Sequence, residues 1–486
     1  MGDKGLNELV FSSACEAAEA IRKGEATSLG LTELILERID RYNPPLNAIV
    51  TLMREEALDR AREADEAMAG GEVWGPLHGV PVTIKDCFDV AGVRTTAGSR
   101  SMSDHVPEED AEAVARLRAA GVVTLGHTNV PPMAGDWQTY NRVFGTTNNP
   151  WDLERTPGGS TGGGAAALAA GLSFLSLGSD IGGSIRLPAH FCGVYGHKTS
   201  LNVVPRRGHT PVSPYKPPML PVVGPLARSP GDLRLALQII GGPDEDAVAF
   251  SWSLLPERRE RLSDYRLGYV LDHPACPVSS EVREVTAATI ESLRSAGADL
   301  VEGWPEGVDP VKQYGTYRFL LAGHYAALLR DEDVEETRRR AEDQDGSYEA
   351  VLALAQTAPH REFLRAQREM VEAREAWGRY FEERDAFLLP VSFLPAFPHD
   401  HSQPFYGRVL ATPEGPRRYE ELMFWISFAT LTGLPATVAP SGKTSKGLPV
   451  GIQIIGPHLE DATTIGVAEK MAEVTGGFEP PEGYSG

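Results

Sequence analysis

The chain has 486 residues, 42 % of them apolar, enough to bury a sizeable core. Its formal net charge of −21 would repel a phosphate backbone, which argues against a nucleic-acid partner. Four scattered cysteines (Cys15, Cys87, Cys192, Cys276) contain no C-x-x-C pair, so neither a disulfide scaffold nor a zinc ribbon is indicated.

The first ten residues are polar and mixed in charge, unlike a signal peptide. No apolar run reaches the roughly 20 residues that span a bilayer. The expectation is a cytoplasmic chain without a membrane segment. Residues 12–70 predict helices. Ser28 is placed to cap one of them; Leu31, Leu34, Ile35, Ile39 and Tyr42 then share a face, and Asn43, Pro44 and Pro45 end it. Glu55 to Ala69 predicts a second, charged helix. Val80, Val82 and Ile84 alternate as in a strand, which puts Lys85 on the opposite face from Ile84. A helix over Asp110 to Ala120 and a strand over Val122 to Leu125 follow. Asn129 to Trp151 is rich in loop residues. Gly162 to Ala170 predicts a helix of small side chains, and Leu172 to Leu177 a buried strand. This alternation suggests a largely parallel sheet with helices on both sides.

Gly193 to Pro221 is irregular, and Leu201 to Leu220 is a candidate lid. Arg266 to Leu271 predicts a strand and Ser279 to Ala296 a helix with Val282, Val285 and Leu293 inward. The dense charge of 331–346 predicts a solvated helical surface. Phe387 to Pro390 returns to the sheet. Residues 399–418 predict a flexible loop, Gly433 to Pro440 and Gly447 to Gly456 two strands, and Asp461 to Thr475 a last helix.

Two Gly-Gly-Ser units end at Ser160 and Ser184, 24 residues apart. Glycine beside serine is how a chain exposes a hydroxyl next to free amide N–H groups. Gly158 to Gly162 formally matches the G-x-S-x-G nucleophile elbow, but no strand precedes Ser160 and no histidine is marked as its partner. Gly162 to Gly164 runs into alanines and lacks the Gly-Lys-Ser/Thr ending of a phosphate loop. His399 and His401 lie two apart in a proline-rich loop, without ligand spacing for a metal, and read as solvated loop residues. The remaining chemistry is a serine activated by a lysine whose pKa is lowered by burial. Lys85, at the end of an apolar strand, is the right kind of residue.

The segments G-V-P-V-T-I-K-D (79–86), P-G-G-S-T-G-G (157–163) and G-S-D-I-G-G-S-I-R-L-P (178–188) together resemble the amidase signature family. The likeness continues in N-N-P-W-D (148–152) and in the closing G-L-P-A and G-L-P-V-G-I-Q-I-I-G-P segments. It implies an α/β fold, a single large mixed, mostly parallel β-sheet core covered on both faces by helices. The implied organisation is one amidase domain over 1–486, with an N-terminal helical part (1–72), a signature core (75–200) and a variable, largely helical region (244–385). By position it makes Ser184 the nucleophile, Ser160 a proton relay beside a cis peptide bond, and Lys85 the base. Ile181, Gly182, Gly183 and Ser184 would supply oxyanion-hole N–H groups, and Ala134 a carbonyl facing the acyl pocket. Asp180 and Arg186 read as a structural ion pair, and Cys192 as a buried core residue.

The implied activity is hydrolysis of C–N acyl bonds of small molecules (an amide, an anilide or a carbamate, with side esterase activity). No metal or cofactor is required. The expected partner is a small-molecule amide or carbamate substrate, with neither nucleic acid nor membrane, and the expected state a monomer or homodimer. The alternative is a glutamine-hydrolysing amidotransferase A-type subunit working with a partner protein. Thr161, Gly164 and Thr199 depart from the family pattern and leave the subfamily open.

Overall fold

The computed structural model describes residues 3–209, 219–244, 249, 251–326, 329–343 and 346–485. Among them, eleven strands form one sheet. In chain order these are β1 (Ile49–Leu52), β2 (Pro81–Lys85), β3 (Val123–Thr128), β4 (Leu175–Asp180), β5 (Tyr195–Lys198), β6 (Val222–Ala227), β7 (Arg266–Tyr269), β8 (Asp299–Glu302), β9 (Ala386–Pro390), β10 (Ala436–Lys443) and β11 (Pro449–Ile455). Their spatial order is β1-β3-β2-β4-β6-β5-β10-β11-β9-β7-β8.

Side chains alternate across a strand, so each strand feeds two layers. In β9, Ala386 and Leu388 join one buried cluster and Phe387 and Leu389 the other. The first cluster takes Leu31, Ile35 and Ile39 from the helix Ser28–Leu46 and Ile465 and Ala468 from the helix Asp461–Thr475. The second takes Tyr317, Trp377 and Trp425 from the helices Pro310–His324, His360–Glu383 and Met423–Thr432. No helix of the described residues is long and apolar enough to cross a membrane.

The mixed sheet is as expected; its balance of directions is not. β2 runs parallel to β3 and β4, and β7 to β8 and β9. The other six neighbouring pairs are antiparallel, so the sheet is mostly antiparallel rather than mostly parallel. The reason is in the connections. The helices Glu112–Ala119 and Gly162–Ala169 carry the chain back to start parallel strands, whereas a short turn joins β10 to β11 and forces a hairpin.

Smaller corrections have local causes. Thr27, not Ser28, caps the helix Ser28–Leu46, its hydroxyl accepting from the Gly30 N–H at 3.0 Å. Ser28 instead donates to the Gly79 carbonyl. That helix continues through Pro44 and Pro45 and stops at Asn47, which takes a left-handed φ of 51°. The stretch 399–418 contains a hairpin, Val409–Thr412 against Gly415–Arg418, in place of a flexible loop. Of the candidate lid at 201–220, residues 210–218 lie outside the described residues.

The helix Gly162–Ala169 is buried along its whole length, which only small side chains allow. A Cβ on Gly163 would lie 2.5 Å from the Asn129 nitrogen and 2.7 Å from the Ala48 oxygen, both backbone atoms. Gly163→Ala is therefore expected to cost about 1–3 kcal/mol through overpacking, read as a lower midpoint of thermal unfolding.

Candidate active site

Strands β3, β2 and β4 lie side by side and parallel, so their carboxyl ends share one edge of the sheet. Loops at such an edge are where open α/β sheets collect functional groups. Lys85 ends β2, the 129–138 loop follows β3, and residues 181–184 follow β4. Ser160 arrives just before the helix Gly162–Ala169, which packs beneath the same edge.

Lys85 is fully buried. Its Nζ donates to Ser160 Oγ at 2.8 Å and to Ser179 Oγ at 3.0 Å. The neighbouring Asp86 faces elsewhere, accepting from the Thr96 N–H at 2.9 Å, and Lys85 makes no ion pair among the described residues. Burial lowers the pKa of Lys85 from the ordinary lysine range, while Cys87 and Asp180 pull it the other way. A buried amine lacking a paired carboxylate is thereby biased toward its neutral, proton-accepting form.

The peptide bond Gly159–Ser160 is cis. The Thr161 N–H donates to the Ser184 carbonyl at 3.1 Å, which ties the two Gly-Gly-Ser bends together. Ser184 lines a cavity of about 270 Å³ together with Ala134, Ile181 and Gly182. Ala134 has a φ of 54°.

An ion pair holds the 181–184 loop. Arg186 and Asp180 are both fully buried, with Nη2 and Oδ1 2.8 Å apart. Arg186 also donates to the Ile426 carbonyl at 2.6 Å, to Gln453 Oε1 at 2.7 Å and to Thr430 Oγ1 at 2.7 Å. Burial alone would raise the Asp180 pKa; the charge and hydrogen bonds of Arg186 outweigh it and hold the carboxyl at about 2. Asp180 therefore contributes stability that is present above the usual carboxylate pKa and lost as pH falls toward 2. Arg186→Met leaves a buried carboxylate unpaired. The expected cost is about 3–5 kcal/mol, with acid unfolding shifted to higher pH, both measurable by circular dichroism.

Asp180 also accepts the Gly183 N–H at 2.9 Å and the Ile185 N–H at 3.1 Å. This revises the expected donor set, because the Gly183 N–H is already committed to a carboxylate. The N–H groups of Ile181, Gly182 and Ser184 make no backbone or side-chain hydrogen bond among the described residues. Two aromatic residues orient this loop by taking its carbonyls. Trp137 Nε1 donates to Gly182 O at 2.8 Å, and the Tyr317 hydroxyl to Ile181 O at 3.0 Å.

Sequence reasoning missed Ser179, Trp137 and Tyr317. Ser179 stood in the quoted G-S-D-I-G-G-S segment, and its position on β4 beside β2 was the available signal. Tyr317 comes from the variable region, where no motif marked it. Cys192 is fully buried, as read. His401 is not a solvated loop residue: its ring stacks on Tyr140 with centroids 3.9 Å apart, and burial pushes its pKa down to about 4.

The family model described as Amidase matches residues 30–465. The A subunit of the glutamyl-tRNA(Gln) amidotransferase of Carboxydothermus hydrogenoformans is 33 % identical over 493 aligned positions, covering 96 % of this chain and 98 % of the relative. The crystal structure of the corresponding protein from Thermotoga maritima superposes with a TM-score of 0.74 at 28 % identity, covering 94 % of each chain. A structure of a vestigial protein complex related to the origins of an s-triazine catabolic enzyme superposes with a TM-score of 0.81 at 28 % identity, covering 96 % of this chain and 99 % of that one. These relatives overturn the expectation of a monomer or homodimer serving only a small-molecule amide or carbamate. The sequence relatives are called subunits, which implies protein partners. With a family model over most of its length and relatives of this likeness, the chain belongs to the amidase signature family and is an enzyme that hydrolyses carbon–nitrogen bonds.

Proposed function

We propose that Ser184 cleaves a C–N acyl bond through an acyl-enzyme, with Ser160 as proton relay and Lys85 as base, on a chain organised as one amidase domain in the cytoplasm. The observation that carries this is the 2.8 Å hydrogen bond from a fully buried lysine, its pKa lowered by burial, to a serine hydroxyl. Ser184 Oγ attacks the carbonyl carbon as its proton passes to Ser160, whose own proton passes to Lys85. The carbonyl oxygen takes up negative charge, and the N–H groups of Ile181, Gly182 and Ser184 receive it. Each such donor is worth about 3 kcal/mol at the tetrahedral transition state. When the tetrahedral intermediate collapses, the proton returns from Lys85 through Ser160 to the leaving nitrogen, because an amide anion departs too poorly unprotonated. Water then releases the acyl group along the same proton path in reverse.

The comparisons favour one setting for this chemistry over a free-standing amidase. Identity of 33 % over 96 % of the chain to the A subunit of an amidotransferase supports a glutamine-hydrolysing component that works with a partner protein. This setting is tested by whether ammonia is released from glutamine in the presence of a co-purifying protein. The common chemistry is tested by mapping the adduct of a fluorophosphonate by mass spectrometry. One adduct on the Ser184 peptide is expected; an adduct elsewhere, or none on the folded chain, refutes it.

A further inference from the structure

The cavity at Ser184 is walled by ring and branched-chain residues: Trp137, Ile181, Leu321, Tyr348, Leu352 and Phe405. The rings of Trp137 and Phe405 meet edge to face at 6.0 Å, and those of Tyr348 and Phe405 lie 6.3 Å apart. Among the lining residues, Asp136 alone carries a charge. That charge is fully engaged. Arg408 Nη1 lies 2.7 Å from Asp136 Oδ2, and both side chains are buried. The Tyr419 hydroxyl donates to Oδ1 at 2.6 Å and the Tyr140 hydroxyl to Oδ2 at 3.0 Å, and the Trp137 N–H reaches Oδ1 at 2.7 Å. Arg408 gives its remaining hydrogen bonds to the Ser402 carbonyl and the Tyr140 hydroxyl. The pair thus locks the loop that carries Phe405 onto the loop that carries Trp137, and offers no charge to a ligand.

We infer that this site takes an uncharged substrate group, aryl or branched alkyl, beside the scissile C–N bond, and discriminates against free glutamine. An amino acid would bring an ammonium and a carboxylate into a cavity whose described lining residues hold no free counter-charge, and burying an unpaired charge is strongly unfavourable. Among the described residues, Arg318 has buried Nε and Nη2 atoms without a hydrogen-bond partner, but it is not among the lining residues. Its guanidinium lies against the rings of Tyr314 and Tyr348, 5.4 Å and 5.9 Å from their centres. Apolar rings gain from burial against Trp137, Tyr348 and Phe405. The cavity wall thus parts from the glutamine donor that sequence likeness favours.

This inference rests on Ser184 being the nucleophile, and the test separates the two. The purified full chain is treated with two fluorophosphonates of equal length, one ending in a phenyl group and one in an α-ammonium and α-carboxylate. Labelling by the phenyl probe is expected to be at least tenfold faster, and millimolar glutamine is expected to leave it unaffected. Phe405→Ala should narrow that ratio several-fold; its circular dichroism spectrum and thermal midpoint report that the variant is folded, and labelling by a minimal methyl fluorophosphonate reports that its serine is live. Equal or reversed rates, or protection of Ser184 by glutamine, overturn the inference. Restoration of the phenyl preference by Arg318→Met in a chain that had favoured the charged probe would assign the site to a carboxylate anchored on Arg318 instead. Absence of labelling by every probe refutes the acyl-enzyme itself.

Discussion

Ser184→Ala is expected to abolish covalent labelling and to lower kcat by about 10,000-fold or more, the size of loss seen when a catalytic nucleophile is removed. The thermal midpoint should stay where it is. The Ser184 hydroxyl makes no hydrogen bond among the described residues, so its removal orphans no buried partner, while the backbone bond from Thr161 to the Ser184 carbonyl survives. That contrast is the useful part of the experiment. A large loss of activity with unchanged stability assigns the side chain to chemistry; retention of normal turnover, or a loss that merely tracks unfolding, defeats the assignment.

Lys85→Met is expected to reduce kcat/KM by about 1,000- to 10,000-fold, the range for removal of a general base, and to change the shape of the pH profile. In the wild type the rate is expected to rise with pH as the lysine loses its proton. Burial lowers the Lys85 pKa, so the rise comes below the ordinary lysine range. The variant has no such group, and its residual rate should lose that limb. A rise of unchanged midpoint in Lys85→Met would remove lysine from the role of base. Stability is expected to change less than activity. The hydroxyls of Ser160 and Ser179 lose a hydrogen-bond partner, at about 1–3 kcal/mol, but the burial penalty on the amine disappears as well.

Arg186 poses the opposite case. Its guanidinium contacts groups on β4, on the helix Met423–Thr432 and on β11, so it joins segments more than 200 residues apart in the chain. Its replacement should act on stability first and on activity only through the loop. Trp137 and Tyr317 belong to an intermediate class. Tyr317, through the Ile181 carbonyl, holds the peptide unit that carries the Gly182 N–H, and Trp137, through the Gly182 carbonyl, holds the one whose Gly183 N–H is bonded to Asp180.

The local pattern carried a large part of this protein. The alternation Val80, Val82, Ile84 placed Lys85 on the face opposite the apolar layer, and that is where it lies: Val82 and Ile84 belong to one buried cluster while the amine turns to the serines. Glycine and alanine between 158 and 170 announced a tightly packed helix, and the three motifs in order announced the family. These features were legible because each depends on residues close in sequence, where period and turn chemistry act directly.

Tertiary structure decided the rest. Strand direction in the second half of the sheet follows from how connections cross it, which no single segment encodes; hence the mostly antiparallel balance. The order of 399–418 depends on Asp136, 272 residues away from Arg408, a pairing invisible until both loops meet. The Gly183 N–H left the expected donor set because a carboxylate three residues earlier turns back upon it. The character of the cavity was also undetermined by the motifs. Its walls come from the 133–137 loop, the variable helices and the 405 loop, brought together only by packing. The residues that mark a family by their spacing sit on the rigid sheet edge; those that choose the substrate arrive from distant segments, and long-range contacts alone give them a common surface.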